Sequence, residues 1–140
     1  PPGYGCIISR NTIRRAVSAN AGGQITNNRV EPNWFSEFVD NVVEQGNAWA
    51  NESFLLHAYG TNDINNMPIA RGHIFRRNIL KNNATIRFQG AIADIITEGN
   101  SISNSPMGIY IRNRQNNCPQ DYILRNNTFE NVGDIIYSGQ

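Results

Sequence analysis

Four side chains offer the most direct chemistry in this sequence: His57, Arg87, Tyr110 and Arg112. Each falls in a short alternating stretch of the kind that builds a strand with one buried face. Setting Phe54, Ile86, Ile109 and Ile135 inward also turns Leu56, Phe88, Ile111 and Tyr137 inward. One outward column is then Leu55, Arg87, Tyr110 and Ile136, and the next is His57, Gln89, Arg112 and Ser138. Such a strip suits β-elimination next to a carboxylate. An arginine fork neutralises the substrate carboxylate, and a neutral histidine, a tyrosine or an unusually held arginine takes the proton. The expectation is that His57, Tyr110 and Arg112 are catalytic and that Arg87 and Gln89 bind substrate. The same residues are also what a solvated strand face presents.

Carboxylates give a second chemistry. Glycoside hydrolysis needs two acids about 5 to 10 Å apart, and neighbouring parallel strands lie about 4.8 Å apart. Candidate pairs are Asp40 with Glu44, Asp94 with Glu98, and Asp121 with Asp134, although none forms a column in this alignment. Trp34, Phe35 and Trp49 give a third, since exposed aromatic rings stack on sugar faces; Trp34 and Trp49 are expected to bind substrate. No metal ligand can be assigned. Calcium is possible given the abundant Asp and Asn oxygens, and the cofactor is otherwise unknown.

Something must position these side chains, and the composition points to what it is. The 140 residues include 22 Asn and 18 Ile but a single lysine, Lys81. Asn is a poor residue in helices and ordinary strands, so this bias calls for a repeat in which Asn has a fixed structural job. One unit recurs: an apolar residue, two variable positions, Asn, one variable position and another apolar residue. It runs from Ile8 to Ile13 around Asn11, Ile25 to Val30 around Asn28, Phe38 to Val43 around Asn41, Phe75 to Leu80 around Asn78, and Leu124 to Phe129 around Asn127. Ile96 to Ile102 around Asn100 is a near match with Thr97 at an apolar place, and Tyr59 to Ile64 around Asn62 is weaker. A second short strand follows the better repeats, as in Thr85 to Gln89, Gly108 to Arg112 and Asp134 to Ser138.

Each unit therefore reads as strand, tight Asn turn, strand and variable loop. Stacked units pair their strands in parallel, and Asn suits the turn because it tolerates left-handed backbone and bonds locally or to a stacked copy of itself. The expected fold is all-β: a right-handed parallel β-helix of about six to seven coils, a segment of a longer helix. It forms a single domain over residues 1–140, with irregular coils and longer loops over 1–71 and regular coils over 72–140. Two other readings stay open. Trp34 to Glu44 also fits an amphipathic helix, and the short strands also fit a β-sandwich, which leaves the recurrent Asn unexplained.

The run Asp121-Tyr122-Ile123-Leu124-Arg125-Asn126-Asn127-Thr128-Phe129-Glu130-Asn131-Val132-Gly133 resembles the coil unit of pectate-lyase-like right-handed β-helix proteins, as does Glu98 to Ile111. The likeness is clear from about residue 72 onward and weaker before it. It implies a carbohydrate-active protein, a polysaccharide lyase or glycoside hydrolase working outside the cell or at its surface; the alternative is a non-catalytic polysaccharide-binding, tail-spike or adhesin module. It points to no single enzyme family. Gly72-His73-Ile74 fails the Gly-His-Gly of polygalacturonase-like enzymes at its last residue. The Asp-Pro-His-Asp of alginate epimerases and the paired-Asp calcium site of pectate lyases have no counterpart.

Partners follow from charge and from the ends. A formal charge of +1 argues against a nucleic-acid partner, which selects a basic surplus. No apolar run is long enough to span a membrane. Polysaccharide is the expected partner. Without an evident cap at either end, a second polypeptide is expected to complete the β-helix. Cys6 and Cys118 show no zinc or redox spacing, and a solenoid would keep them apart as thiols or pair them outside the chain.

Overall fold

The computed structural model describes residues 7–13, 25–26, 33–44, 56–60, 70–90, 92–113 and 118–139. Among these the chain forms strands and no helix, so the helical reading of Trp34 to Glu44 is replaced by three short strands. The strands fall into five passes. The first holds β1 (Ile7–Ser9), β2 (Thr12–Ile13) and β3 (Ile25–Thr26). The second holds β4 (Asn33–Trp34), β5 (Glu37–Val39), β6 (Val42–Val43) and β7 (Leu56–Gly60). The third holds β8 (Ala70–Arg71), β9 (Ile74–Arg76), β10 (Ile79–Lys81) and β11 (Ile86–Gly90). The fourth merges neighbours into β12 (Ile92–Glu98) and β13 (Ser101–Arg112), and the fifth holds β14 (Gln120–Arg125) and β15 (Thr128–Gly139).

All pairing is parallel. One sheet contains β1, β4, β5, β8, β9, β12 and β14; the other contains β2, β3, β6, β7, β10, β11, β13 and β15, and neither closes into a barrel. The described residues thus hold five passes where the repeat points to six or seven. The surplus comes from Ile25 and Tyr59. Ile25 pairs with Leu56 and Tyr59 with Gln89, so both belong to the second sheet and neither opens a new pass. Asn28 and Asn62 lie outside the described residues.

The passes are tied at one corner by an asparagine ladder. Asn11, Asn41, Asn78 and Asn100 each donate from backbone N and from Nδ2 to the Oδ1 of the next asparagine, at 2.9 to 3.1 Å, ending on Asn127. The second Nδ2 hydrogen of Asn41, Asn78, Asn100 and Asn127 goes to a carbonyl of the preceding pass, at Ile8, Phe38, Phe75 and Thr97. Asn41, Asn78 and Asn100 are buried and fully bonded, a task no isosteric apolar side chain can do. The left-handed backbone sits one residue earlier than the sequence reading places it, at Arg10, Asp40, Arg77, Gly99 and Asn126, with φ between 52° and 64°. The N–H groups of the first four still reach the next pass, at 3.1 to 3.2 Å, so the corner bends without breaking the ladder.

The core lies between the sheets. Ile8, Phe38, Phe75, Thr97 and Leu124 occupy one paired column, and Phe38 and Phe75 stack with centroids 4.8 Å apart. Val43, Leu80, Ile102 and Phe129 form a second column, and Ile86 with Ile109 and Phe88 with Ile111 close the opposite side. Thr97 is fully buried at its apolar place, and its hydroxyl has no hydrogen-bond partner.

Candidate functional site

The second sheet brings together three of the expected residues in a different register. Arg87 on β11 pairs with His57 on β7 and with Tyr110 on β13, so these three share one column. Arg112 pairs with Gln89, two residues further along, and His57 does not join them. On the last pass Tyr137 pairs with Tyr110 and Ile136 with Ile109, which reverses the inward and outward assignments of Ile135 and Ile136. The cause is local. Ile86 lies eight residues after Asn78, whereas Ile109 and Ile136 lie nine after their asparagines, and one extra residue turns a strand over. The side chains of Trp34, His57 and Gln89, and all of Trp49, lie outside the described residues.

Alternation points Arg87 away from the core residues Ile86 and Phe88, yet Arg87 is only 1% exposed and Tyr110 only 9%. Arg87 and Tyr110 are therefore covered and not part of a solvated strip. The Arg87 guanidinium lies 5.1 Å from the centroid of the Tyr110 ring, a cation–π contact. Arg112 is half-buried at the margin. A guanidinium over a phenol ring in a desolvated place holds that ring in position.

The carboxylates separate into two kinds. Asp40 receives two hydrogen bonds from Arg77, at 2.8 and 3.1 Å, and these hold its carboxyl below the usual aspartate value. Glu98 lies between Arg125 and Arg76, each 2.6 Å away, and their hydrogen bonds lower its pKa. These hydrogen bonds make both carboxylates struts between neighbouring passes. Asp121 is on the first sheet and Asp134 on the second, opposite Met107, so that pairing is not formed. A pair that the sequence alignment does not show is Asp94 with Asp121. They are matched in register on β12 and β14, because Ala93 pairs with Gln120 and Ile95 with Tyr122. Adjacent strands set their backbones about 4.8 Å apart, while the Asp94 carboxylate reaches the opposite way, to Arg71 on β8. The unequal loop before Gln120 hides this match in the sequence.

Asp94 and Asp121 belong to an elbow repeated on four passes: Phe35, Gly72, Asp94 and Asp121, with φ of 60°, 72°, 57° and 51°. Glycine and aspartate are ordinary there; an aromatic residue is not, and its backbone strain amounts to about 1–3 kcal/mol. The Phe35 N–H donates to the Arg71 carbonyl at 2.8 Å. The ring rests on Gly72, where an added Cβ would come within 2.4 Å of Phe35 Cδ1. Beside it Arg71 Nε meets Asp94 Oδ2 at 3.2 Å.

Among the described residues, no three of His, Cys, Asp and Glu gather to hold a metal ion, and no helix is long and apolar enough to cross a membrane. Cys118 is an exposed free thiol, and Cys6 lies outside the described residues. No known protein family, curated protein or solved structure matches this chain.

Proposed function

We propose that this chain is a stretch of right-handed parallel β-helix that acts on an extended polysaccharide, as a polysaccharide lyase or glycoside hydrolase outside the cell or at its surface. Parallel strands joined by crossover connections are right-handed in about 98% of cases, and two parallel sheets that advance by one strand per pass support the solenoid. The observation that carries the function is the matching of His57, Arg87 and Tyr110 across three consecutive strands. In the lyase form of this reading, Arg112 at the half-buried margin neutralises a uronate carboxylate, and Arg87, itself buried, acts behind it by holding Tyr110. His57 accepts the proton from the adjacent carbon, the carbon–carbon double bond forms as the neighbouring C–O bond to the next sugar breaks, and the Tyr110 hydroxyl gives a proton to the departing oxygen while Gln89 binds the next sugar along.

The test is depolymerisation by His57→Ala, Tyr110→Phe and Arg112→Ala variants that retain the wild-type circular dichroism. Loss of turnover in all three supports the lyase. Full turnover in all three removes this column from the reaction.

The burial of Arg87 and Tyr110 favours a second reading, a non-catalytic polysaccharide-binding, tail-spike or adhesin module with a covered structural pair. Retained binding without turnover in the wild-type chain identifies it.

A further layer of strand stacked on the fifth pass is part of either reading. The fifth pass leaves Tyr122, Ile123, Ile135 and Ile136 exposed. Its Asn127 accepts from Asn100 and donates to Thr97, and in this proposal its backbone N–H and remaining Nδ2 hydrogen are met by the next layer's side-chain oxygen.

A further inference from the structure

We propose that the arginine-rich corner formed by Arg10, Arg76, Arg77 and Arg125 binds a polysaccharide in which acidic and neutral sugars alternate. The proposal rests on the polysaccharide reading and narrows it, at a place apart from the His57, Arg87 and Tyr110 strands.

Charge at this corner changes sign from pass to pass. Arg10, Asp40 and Arg77 directly precede the ladder residues Asn11, Asn41 and Asn78. One position earlier, Arg76, Glu98 and Arg125 are paired strand to strand. The order along the passes is therefore Arg10, Asp40, Arg76 with Arg77, Glu98, and Arg125.

Struts between passes explain part of this arrangement. Arg77 binds Asp40 through Nε and Nη2, and Arg76 meets Glu98 at 2.6 Å. One arginine per carboxylate is enough for those bridges. Arg125 nevertheless binds Glu98 a second time, and Arg10, exposed at the same corner, acts on Asp40 as a second positive charge. Four arginines against two carboxylates give a local charge of +2, in a chain whose formal charge is +1. Counting Glu37 in the neighbouring outward column, the face keeps a positive surplus. Exposed ion pairs add little stability, so the two further arginines are better explained by what they meet from outside.

The surplus groups are accessible. The side chains of Arg77 and Arg125 are 57% and 53% exposed. Arg76 and Arg125 hold Glu98 through Nε, and neither makes an Nη hydrogen bond among the described residues. A guanidinium fork fits a carboxylate or sulfate. Asp40 and Glu98 keep acceptor capacity beyond their arginine bonds, which suits sugar hydroxyls.

Spacing narrows the ligand. Strands lie about 4.8 Å apart, so cationic passes recur about every 9.6 Å with a carboxylate pass between them. A glycan with a charge on every sugar brings like charge onto Asp40 and Glu98, whereas alternating neutral sugars bring hydroxyls there. A DNA duplex carries one charge per about 1.7 Å of its axis, too dense for this pattern.

Calorimetric titration of the full chain with hyaluronan oligosaccharides, in which glucuronate alternates with a neutral sugar, tests this beside oligogalacturonate, neutral manno-oligosaccharides and duplex DNA. The hyaluronan fragments should bind most tightly, and added salt should weaken them. Arg10→Gln and Arg125→Gln should each weaken binding about tenfold. Their urea unfolding midpoints should stay near that of the wild type, because the Arg77–Asp40 and Arg76–Glu98 pairs remain. Wild-type affinity in the double variant overturns the corner as a site and leaves the polysaccharide reading standing. Tighter binding of oligogalacturonate or of neutral sugars overturns the alternating pattern, and tighter binding of DNA overturns a glycan as the partner. No binding of any glycan by the wild-type chain removes both the polysaccharide reading and the corner site.

Discussion

The guanidinium of Arg87 lies 5.1 Å from the centre of the Tyr110 ring, across two paired strands and almost wholly out of water. A buried arginine is expensive to strand and hard to replace. Arg87→Ala is expected to lower stability by about 2–5 kcal/mol, from lost packing and from disruption of its buried surroundings. A double-mutant cycle with Tyr110→Leu should return a coupling of roughly 1–2 kcal/mol in urea unfolding. Additive effects would show that the two groups are merely neighbours.

The asparagine ladder predicts a gradient of sensitivity. Asn78→Ala removes the Oδ1 acceptor for Asn41 and the two Nδ2 hydrogen bonds, to Asn100 Oδ1 and to Phe38 O, and is expected to cost roughly 2–4 kcal/mol. Asn11 is exposed and bonds to one neighbouring pass, so Asn11→Ala should cost about 1 kcal/mol or less. Equal losses in chemical denaturation would contradict the ladder as a source of stability.

Thr97 offers a change in the opposite direction. Its buried hydroxyl has no partner, and it stands in the column of Phe75 and Leu124. Thr97→Val keeps the shape and removes an unpaired polar group, so stability should rise by about 1 kcal/mol. A fall in the unfolding midpoint would mean that the hydroxyl is satisfied by a group such as bound water.

Thr97 is legible in the amino-acid sequence as an irregularity in the repeat, and Asn11, Asn41, Asn78, Asn100 and Asn127 are legible as its corner. The ladder demands one residue type at one place, and that demand leaves a mark on composition and spacing. Register is less legible. Hydrophobic alternation says which residues alternate but not how many fill the bend between Asn127 and Ile136, so alternation alone turns Ile135 inward, one residue out of step. The same gap sets His57 beside Arg112, whereas its partner is Arg87. The match of Asp94 to Asp121 is hidden because it depends on a pass length set by a variable loop. The covered state of Arg87 is invisible because nothing in a strand's own pattern records what lies across its outer face.

Acid should weaken the outer struts. The folded-state pKa values of Asp40 and Glu98 are held below their ordinary values of 3.8 and 4.5, first by hydrogen bonds from Arg77 and from Arg125 with Arg76. A depressed carboxyl contributes stability above its unfolded value, and that contribution is lost as pH falls through the folded one. The unfolding midpoint should therefore drop as pH is lowered from about 4.5. Glu98→Gln and Asp40→Asn should flatten the drop, and because the pairs are solvent-accessible, high salt should flatten it too. An unchanged acid profile in the double variant would assign the loss to other groups.

The most direct measurement is product analysis by mass spectrometry after the full chain is incubated with a panel of neutral and uronate-containing polysaccharides. A polysaccharide lyase or glycoside hydrolase predicts shortened chains from at least one member. Their new ends should be unsaturated after elimination or carry added water after hydrolysis, and yield should fall with Tyr110→Phe and Arg112→Ala. Polysaccharides that bind the protein yet are recovered intact from every incubation would contradict an enzyme and leave the binding module in its place.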